Sequence, residues 1–190
     1  WRQLLVVFVM CIVSSFCFVT TAAAETYSGT IEGGFTWTLD SGTGALTISG
    51  EGDMPDSGDY VGISPYDYYS FSDYAKLIKH VVFSDGITKA QIPSMTYLEV
   101  QTFTLGKDVK EVHIPMCHEK FIVDARNPYF AVYDNSLYSK NFDTLYDVPY
   151  DQEVWKLHDN LKVIESASRP QRAYEISPSN QTYAVYDDML

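Results

Sequence analysis

Four residues that commonly bind metals or do acid–base chemistry fall within one short stretch: His113, Cys117, His118 and Glu119. A structural zinc site needs four such ligands, usually in pairs at fixed spacing. No Cys-x-x-Cys is present, and the remaining histidines, His80 and His158, lie on separate segments. The plainer reading makes Cys117 a small buried apolar side chain. A second group, Glu51, Asp53, Asp56 and Asp59, crowds a glycine-rich loop. Calcium takes several oxygen ligands, but this spacing is not that of an EF-hand, and acidic loops are ordinarily just solvated. Nor does anything fix two of these carboxylates across a cleft as a glycosidase acid and base. No Ser-His-Asp arrangement, phosphate loop or nucleotide fingerprint occurs. The expectation is therefore no catalytic residues, no cofactor and no metal.

Aromatic side chains offer binding chemistry instead. Tyr60, Tyr66, Tyr68, Tyr69, Phe71 and Tyr74 are interleaved with aspartates, as a sugar-stacking platform would be. They equally suit the apolar end of a repeat stack, which needs a cap, and the cap is the preferred reading. Tyr129, Tyr133, Tyr138 and Tyr146 form another set, able to supply rigid amphipathic contact area to a partner wherever they are exposed.

The elements that must position these residues can be read from periodicity. Thr36–Asp40 and Ala45–Ser49 alternate apolar and polar residues around Ser41-Gly-Thr-Gly44, which predicts a β-hairpin with one buried face. Residues 50–62 read as a loop. From Ile78 a ladder begins. Phe83, Ile87, Ala90 and Ile92-Pro93 recur 22 positions later as Leu105, Val109, Val112 and Ile114-Pro115. Leu157, Leu161 and Ile164 repeat the second rung at an offset of 52. A period near 22 lies in the leucine-rich-repeat range, where each rung gives a short strand and a turn to a solenoid. No sustained 3.6-residue apolar stripe argues for helices.

Two longer units also match. Phe121–Asp124 and Tyr174–Ser177 stand 53 positions apart, and each is followed by an Asn, an aromatic residue and Ala-Val-Tyr-Asp. Around Asp134-Asn135 the first copy predicts a hairpin inserted between rungs, with Asn141–Asp143 a further turn and Thr144–Pro149 another strand. Val82, Phe103, Ile122 and Ile176 are expected to lie on a series of neighbouring strands and to be mostly buried.

The ends of the chain are of another character. Leu4–Val19 is an apolar run preceded by Arg2 and followed by Thr-Thr-Ala-Ala-Ala24, which predicts a secretory signal peptide over residues 1–24. About 16 apolar residues fall short of the ~20 that span a bilayer. Cleavage removes Arg2 and no acids, leaving 12 basic against 25 acidic side chains, a formal charge of −13. Such a surface repels nucleic acid and disfavours anionic membranes. Cys117 is then the single cysteine, so an apolar core rather than a disulfide must hold an exported domain. Beginning without methionine and stopping inside the second copy, the chain reads as a piece of a longer polypeptide.

Thr36-Trp-Thr-Leu-Asp…Leu46-Thr-Ile-Ser-Gly-Glu-Gly-Asp-Met54, then Pro65 and Ile78–Thr88, resemble the leader of BspA-type leucine-rich-repeat proteins, exported by host-associated bacteria. Asn127-Pro-Tyr-Phe…Asp134-Asn-Ser-Leu-Tyr-Ser-Lys140…Leu145…Pro149 resembles their extended repeat, so the likeness runs over roughly residues 28–190. The Ala-Phe-x-x-Cys-x-x-Leu segment of typical repeats is intact in no rung, which implies a short or irregular solenoid. The resemblance implies surface-exposed interaction or adhesion proteins without catalytic residues. The resulting expectation is mainly β: signal peptide 1–24, hairpin and aromatic N-terminal cap 25–77, and a leucine-rich-repeat solenoid with inserted hairpins 78–190. Its expected role is secreted or cell-surface binding of a protein or glycan. The alternatives are a carbohydrate-binding front of a larger secreted enzyme and a purely structural spacer. N-terminal sequencing of exported material is expected to start at or near Glu25, and a start at Trp1 would exclude the signal peptide.

Overall fold

The computed structural model describes residues 24–55, 71–92, 99–115, 117–165 and 173–183. Residues 1–23 of the predicted signal peptide, Asp56, Asp59, most of the Tyr60–Tyr74 stretch and the second Ala-Val-Tyr-Asp lie outside these.

The predicted hairpin is present as β2 (Phe35–Asp40) and β3 (Ala45–Ser49), paired antiparallel, and β1 (Thr26–Ile31) adds a strand on the far side of β2. Its turn is set by side-chain chemistry. Asp40 Oδ1 accepts from the amides of Gly42 and Thr43 at 2.8 and 3.2 Å, and Gly44 donates to the Asp40 carbonyl at 2.8 Å. Gly44 has φ +71°, and a Cβ there would meet the Leu77 carbonyl oxygen at 2.7 Å, so only glycine fits.

At β3 the sheet changes character. β3 pairs in parallel with β5 (His80–Phe83), β5 with β7 (Thr102–Leu105) and β7 with β9 (Lys120–Val123), giving one six-stranded sheet in the order β1-β2-β3-β5-β7-β9. Behind it runs a three-stranded parallel sheet of β4 (Gly52–Asp53), β6 (Ile87–Gln91) and β8 (Glu111–His113). Each coil is thus a strand, a polar turn and a second strand, and the leader hairpin merges directly into the stack. The fold is a mainly β solenoid.

The 22-residue ladder lies inside it. Phe83 and Leu105, and Ile87 and Val109, occupy matching places and are all buried. The Phe103 ring packs near-parallel between Phe83 and Phe121, with centroids 6.4 and 6.2 Å away. Burial of two predicted core residues is corrected. In register, Val81, Phe103 and Phe121 form one inward row, whereas Val82, Thr104 and Ile122 form the adjacent outward row. Ile122 is 42% exposed and Val82 half-buried, because successive side chains alternate faces and a one-residue slip reverses them. Ile176 is half-buried, packed against a second core.

After β9 comes the predicted insertion. β10 (Phe130–Tyr133) and β11 (Ser136–Ser139) pair antiparallel around Asp134 (φ +47°) and Asn135 (φ +65°), left-handed positions that Asp and Asn tolerate. β12 (Thr144–Asp147) joins β11 and pairs in parallel with β14 (Val163–Ile164), while β13 (Val154–Leu157) pairs in parallel with β15 (Ala173–Ile176). The second core is built on Tyr138, Leu145, Val148, Trp155, Leu157 and Leu161.

The hairpin tip stands where the next strand of the front sheet would pair. Phe121 N–H on β9 donates to the Asn135 carbonyl at 3.0 Å, and Lys156 N–H on β13 donates to Asp134 Oδ2 at 3.1 Å. Tyr150 and Asp151 amides donate to the carbonyls of Cys117 and His118 at 2.7 and 3.0 Å, carrying the stack past the insertion.

The 53-residue repeat has a common anchor. Asn127, fully buried, donates from Nδ2 to the carbonyls of Gly106 and Val109 and accepts at Oδ1 from the amides of Tyr129 and Phe130, all at 2.8 Å. Asn180 does the same one unit later. Its Nδ2 donates to the carbonyls of Asp159 (2.8 Å) and Leu161 (3.1 Å), and its Oδ1 accepts from Thr182 and Tyr183 at 2.8 and 2.7 Å.

Truncating Phe103 to alanine should cost about 3–5 kcal/mol, while Ile122→Ala on the outward row should cost no more than about 1 kcal/mol. Denaturant titration of both variants checks the register; equal losses would contradict it.

Candidate functional site: the inserted hairpin and its rung edges

The fold separates the residues that sequence proximity grouped. His113 Nε2 lies 2.8 Å from Glu111 Oε1, and His118 Nδ1 lies 3.4 Å from Asp151 Oδ2. Cys117 turns inward, donating from Sγ to the carbonyls of Lys120 (3.2 Å) and Gln101 (3.4 Å). Burial pushes its thiol up to about 11, away from the thiolate that metal binding or nucleophilic attack requires. Among the described residues no three His, Cys, Asp or Glu side chains converge as metal ligands. In the glycine-rich loop Asp53 accepts from the Thr88 hydroxyl. The describable part of the aromatic stretch packs on the solenoid end: Phe71 is buried edge-on to Trp37 at 5.9 Å, and Tyr74 stacks on Tyr27 at 4.3 Å.

The four singled-out tyrosines divide. Tyr129 and Tyr133 are 49% and 38% exposed and present contact area to solvent. Tyr146 is half-buried, edge-on to Phe130 at 5.3 Å. Tyr138 is wholly buried, so it makes no direct partner contact. β11 is an inner strand of its sheet, between β10 and β12, and the second core closes over the Tyr138 face. Burial pushes the Tyr138 phenol up to about 12 while its oxygen accepts from His158 N–H at 3.4 Å.

Sequence reasoning missed the aromatic group that Tyr138 supports. Phe142, at φ +62°, lays its ring flat on His158 at 4.3 Å and 13°, and Tyr133 meets His158 edge-on at 4.9 Å. The imidazole is oriented by Asn160 N–H, which donates to His158 Nδ1 at 3.1 Å. These residues sit in three separate segments with no shared spacing, so only the folded turn brings them together. The result is a rigid aromatic knob on the insertion, with Tyr133 outermost.

Along the turn edge of the earlier rungs the surface is charged and self-paired. Arg126 Nη2 bonds Asp124 Oδ2 at 2.7 Å and Asp85 Oδ2 at 3.0 Å, while Lys107 Nζ reaches Asp85 and Asp108 at 3.1 and 3.4 Å. Hydrogen bonds from the Arg126 guanidinium hold the Asp124 carboxyl at about 2. Exposed pairs of this kind add little stability, but each of these five charged side chains has a partner of opposite charge.

No protein-family model matches the chain, and no curated protein matches it. Among solved structures it is similar to a leucine-rich repeat protein from Eubacterium ventriosum, at 15% identity and a TM-score of 0.38, over 83% of this chain and 62% of that one. It is also similar to the pneumococcal vaccine antigen PcpA, at 14% identity and a TM-score of 0.36, over 54% of this chain and 34% of that one. The chain therefore spans less than two-thirds of either protein, and the fold described above rests on its own strand pairing.

Both raised groups bind their protons more tightly folded than unfolded, where ordinary values are about 8.5 for Cys and about 10 for Tyr. The stability they contribute is complete below the unfolded values and is lost as pH rises through about 11 for Cys117 and about 12 for Tyr138. The urea midpoint should thus be flat near neutrality and fall steeply above about pH 9. Tyr138→Phe should flatten the upper part of that fall; an unchanged profile would contradict the phenol's burial.

Proposed function

We propose that this chain is a non-catalytic binding module of the BspA-like type, exported to the cell surface or medium, that recognises a macromolecular partner through its inserted hairpin and the neighbouring rung edges. The observation carrying this reading is the aromatic knob: Tyr133 is exposed, yet its position is fixed from behind by buried Tyr138 and by the Phe142–His158 stack. Rings held in one orientation lose little conformational freedom on binding, which is why aromatic anchors dominate interface energetics. Tyr129, nearly half exposed at the base of the same hairpin, extends the surface.

Charge narrows the partner. With formal net charge −12 for the whole chain, and −13 without residues 1–24, the module repels nucleic acid and favours neutral or basic proteins and glycans. Export is supported by the sequence features of residues 1–24. A repeat fold suits this role because its extended, uniform frame displays variable side chains over a large area.

An array of glycans and host surface proteins probed with the full chain tests the proposal. Replacing Tyr129 and Tyr133 together by alanine should weaken any hit by about tenfold or more, 1.4 kcal/mol or above, with the lost Tyr133 ring contacts lowering the denaturation midpoint but the wild-type circular dichroism retained at the assay temperature. Hydrolysis of an arrayed substrate without retained binding would overturn the module reading in favour of an enzyme.

A further inference from the structure

The two Asn-anchored units share a backbone plan but differ sharply at their turn edge. In the first unit that edge carries Lys107, Asp108, Arg126, Pro128 and Tyr129. Its charges are tied to one another and to Asp85 and Asp124. At the equivalent places, 52 or 53 positions later, the second unit has Asp159, Asn160, Ser179, Gln181 and Thr182. The long, paired Lys107 and Arg126 are thus replaced by the shorter Asp159 and Ser179, and the Tyr129 ring by Thr182. The edge opens into a cleft of about 650 Å³ between this unit and the Asn141–Asp143 turn, with Lys162 beside it.

The lining defines what fits. Asp143 and Asp159 disfavour an anion, and Lys162 disfavours a simple cation. A lipid would need an apolar floor, yet Leu161 is the one apolar lining residue and is itself buried. What remains is a dense mixture of donors and acceptors on short side chains. Among the described residues the Gln181 amide and the Lys162 ammonium make no hydrogen bond, and Asp159 accepts through Oδ2 alone, from Ser179 Oγ at 3.2 Å. Vicinal hydroxyls, which donate and accept at once, match this polar lining.

We propose that this cleft is a subsite for a neutral oligosaccharide, held by Asp159, Asn160, Lys162 and Gln181 against the Asn141–Asp143 turn. The inference rests on the binding-module reading and specifies one ligand class for it. It differs from the tyrosine surface, which needs no cleft.

The test is titration of the full chain with a panel of neutral oligosaccharides, alongside protein ligands on the same array. In the decisive variant, Ser179→Arg with Thr182→Tyr, the cleft is refilled with the residues of the first unit, a combination this backbone already accommodates there. It should lose saccharide binding by about tenfold or more while retaining binding of any protein partner and the wild-type circular dichroism. Should that variant misfold, Asp159→Ala with Gln181→Ala, both exposed positions, should give the same loss. Saccharide binding unchanged in a folded variant would overturn the cleft assignment and leave the module reading intact. Protein hits without any saccharide hit would overturn the ligand class alone, and no hits of either kind would overturn both readings.

Discussion

The buried amide of Asn127 is the interaction on which the rest of this architecture depends. A solenoid turn leaves carbonyls pointing inward with no strand to pair with, and each one left unsatisfied costs on the order of 1–3 kcal/mol. Asn127 accepts that task for the preceding coil while its own oxygen fixes the first two amides of the segment that becomes β10. One side chain therefore both closes a rung and sets the departure of the insertion. Aspartate could not replace it, since a carboxylate offers no donor to two carbonyls. Asn180 shows that the device was reused with the whole unit, which is why the Ala-Val-Tyr-Asp stretch recurs at the same distance after each rung.

How far this could be read from the residues follows the same physics. The 22-residue ladder, the hairpin around Ser41–Gly44 and the Asp134-Asn135 turn were legible, because each is a local pattern with a local cause. The parity of the rung strands was not. Val82 and Ile122 are as apolar as Val81 and Phe121, so composition alone does not say which row faces inward; the aligned Phe103 does, once the strands are in register. β1 escaped notice because Thr26, Ser28 and Thr30 are polar, with Gly29 between the last two, and only its pairing with β2 makes it a strand. The burial of Tyr138 was hidden for a third reason: it requires a second core, assembled from residues as distant as Trp155 and Leu161.

Candidate chemistry fared according to whether it needed neighbours in sequence or in space. His113, Cys117 and His118 are close along the chain, but a strand and its approach send their side chains to different faces. Phe142, His158 and Tyr133 are scattered, and the turns bring them into one stack. A surface built on a repeat frame in this way can change its contacts without disturbing the frame, as the contrast between the paired edge near Arg126 and the open edge near Ser179 illustrates.

The way the hairpin tip interrupts the front sheet has a mechanical side. Between β5, β7 and β9 a load along the stack is shared by continuous ladders of backbone bonds. Across the insertion, among the described residues, it passes through isolated links, chiefly Phe121 to Asn135, Lys156 to Asp134, and the Tyr150 and Asp151 amides to the preceding rung. Isolated bonds cannot divide tension as a ladder does. The seam beside the hairpin therefore concentrates tension on separate backbone bonds and on the packing of Phe130 and Leu137, where the coils before it spread tension over whole ladders.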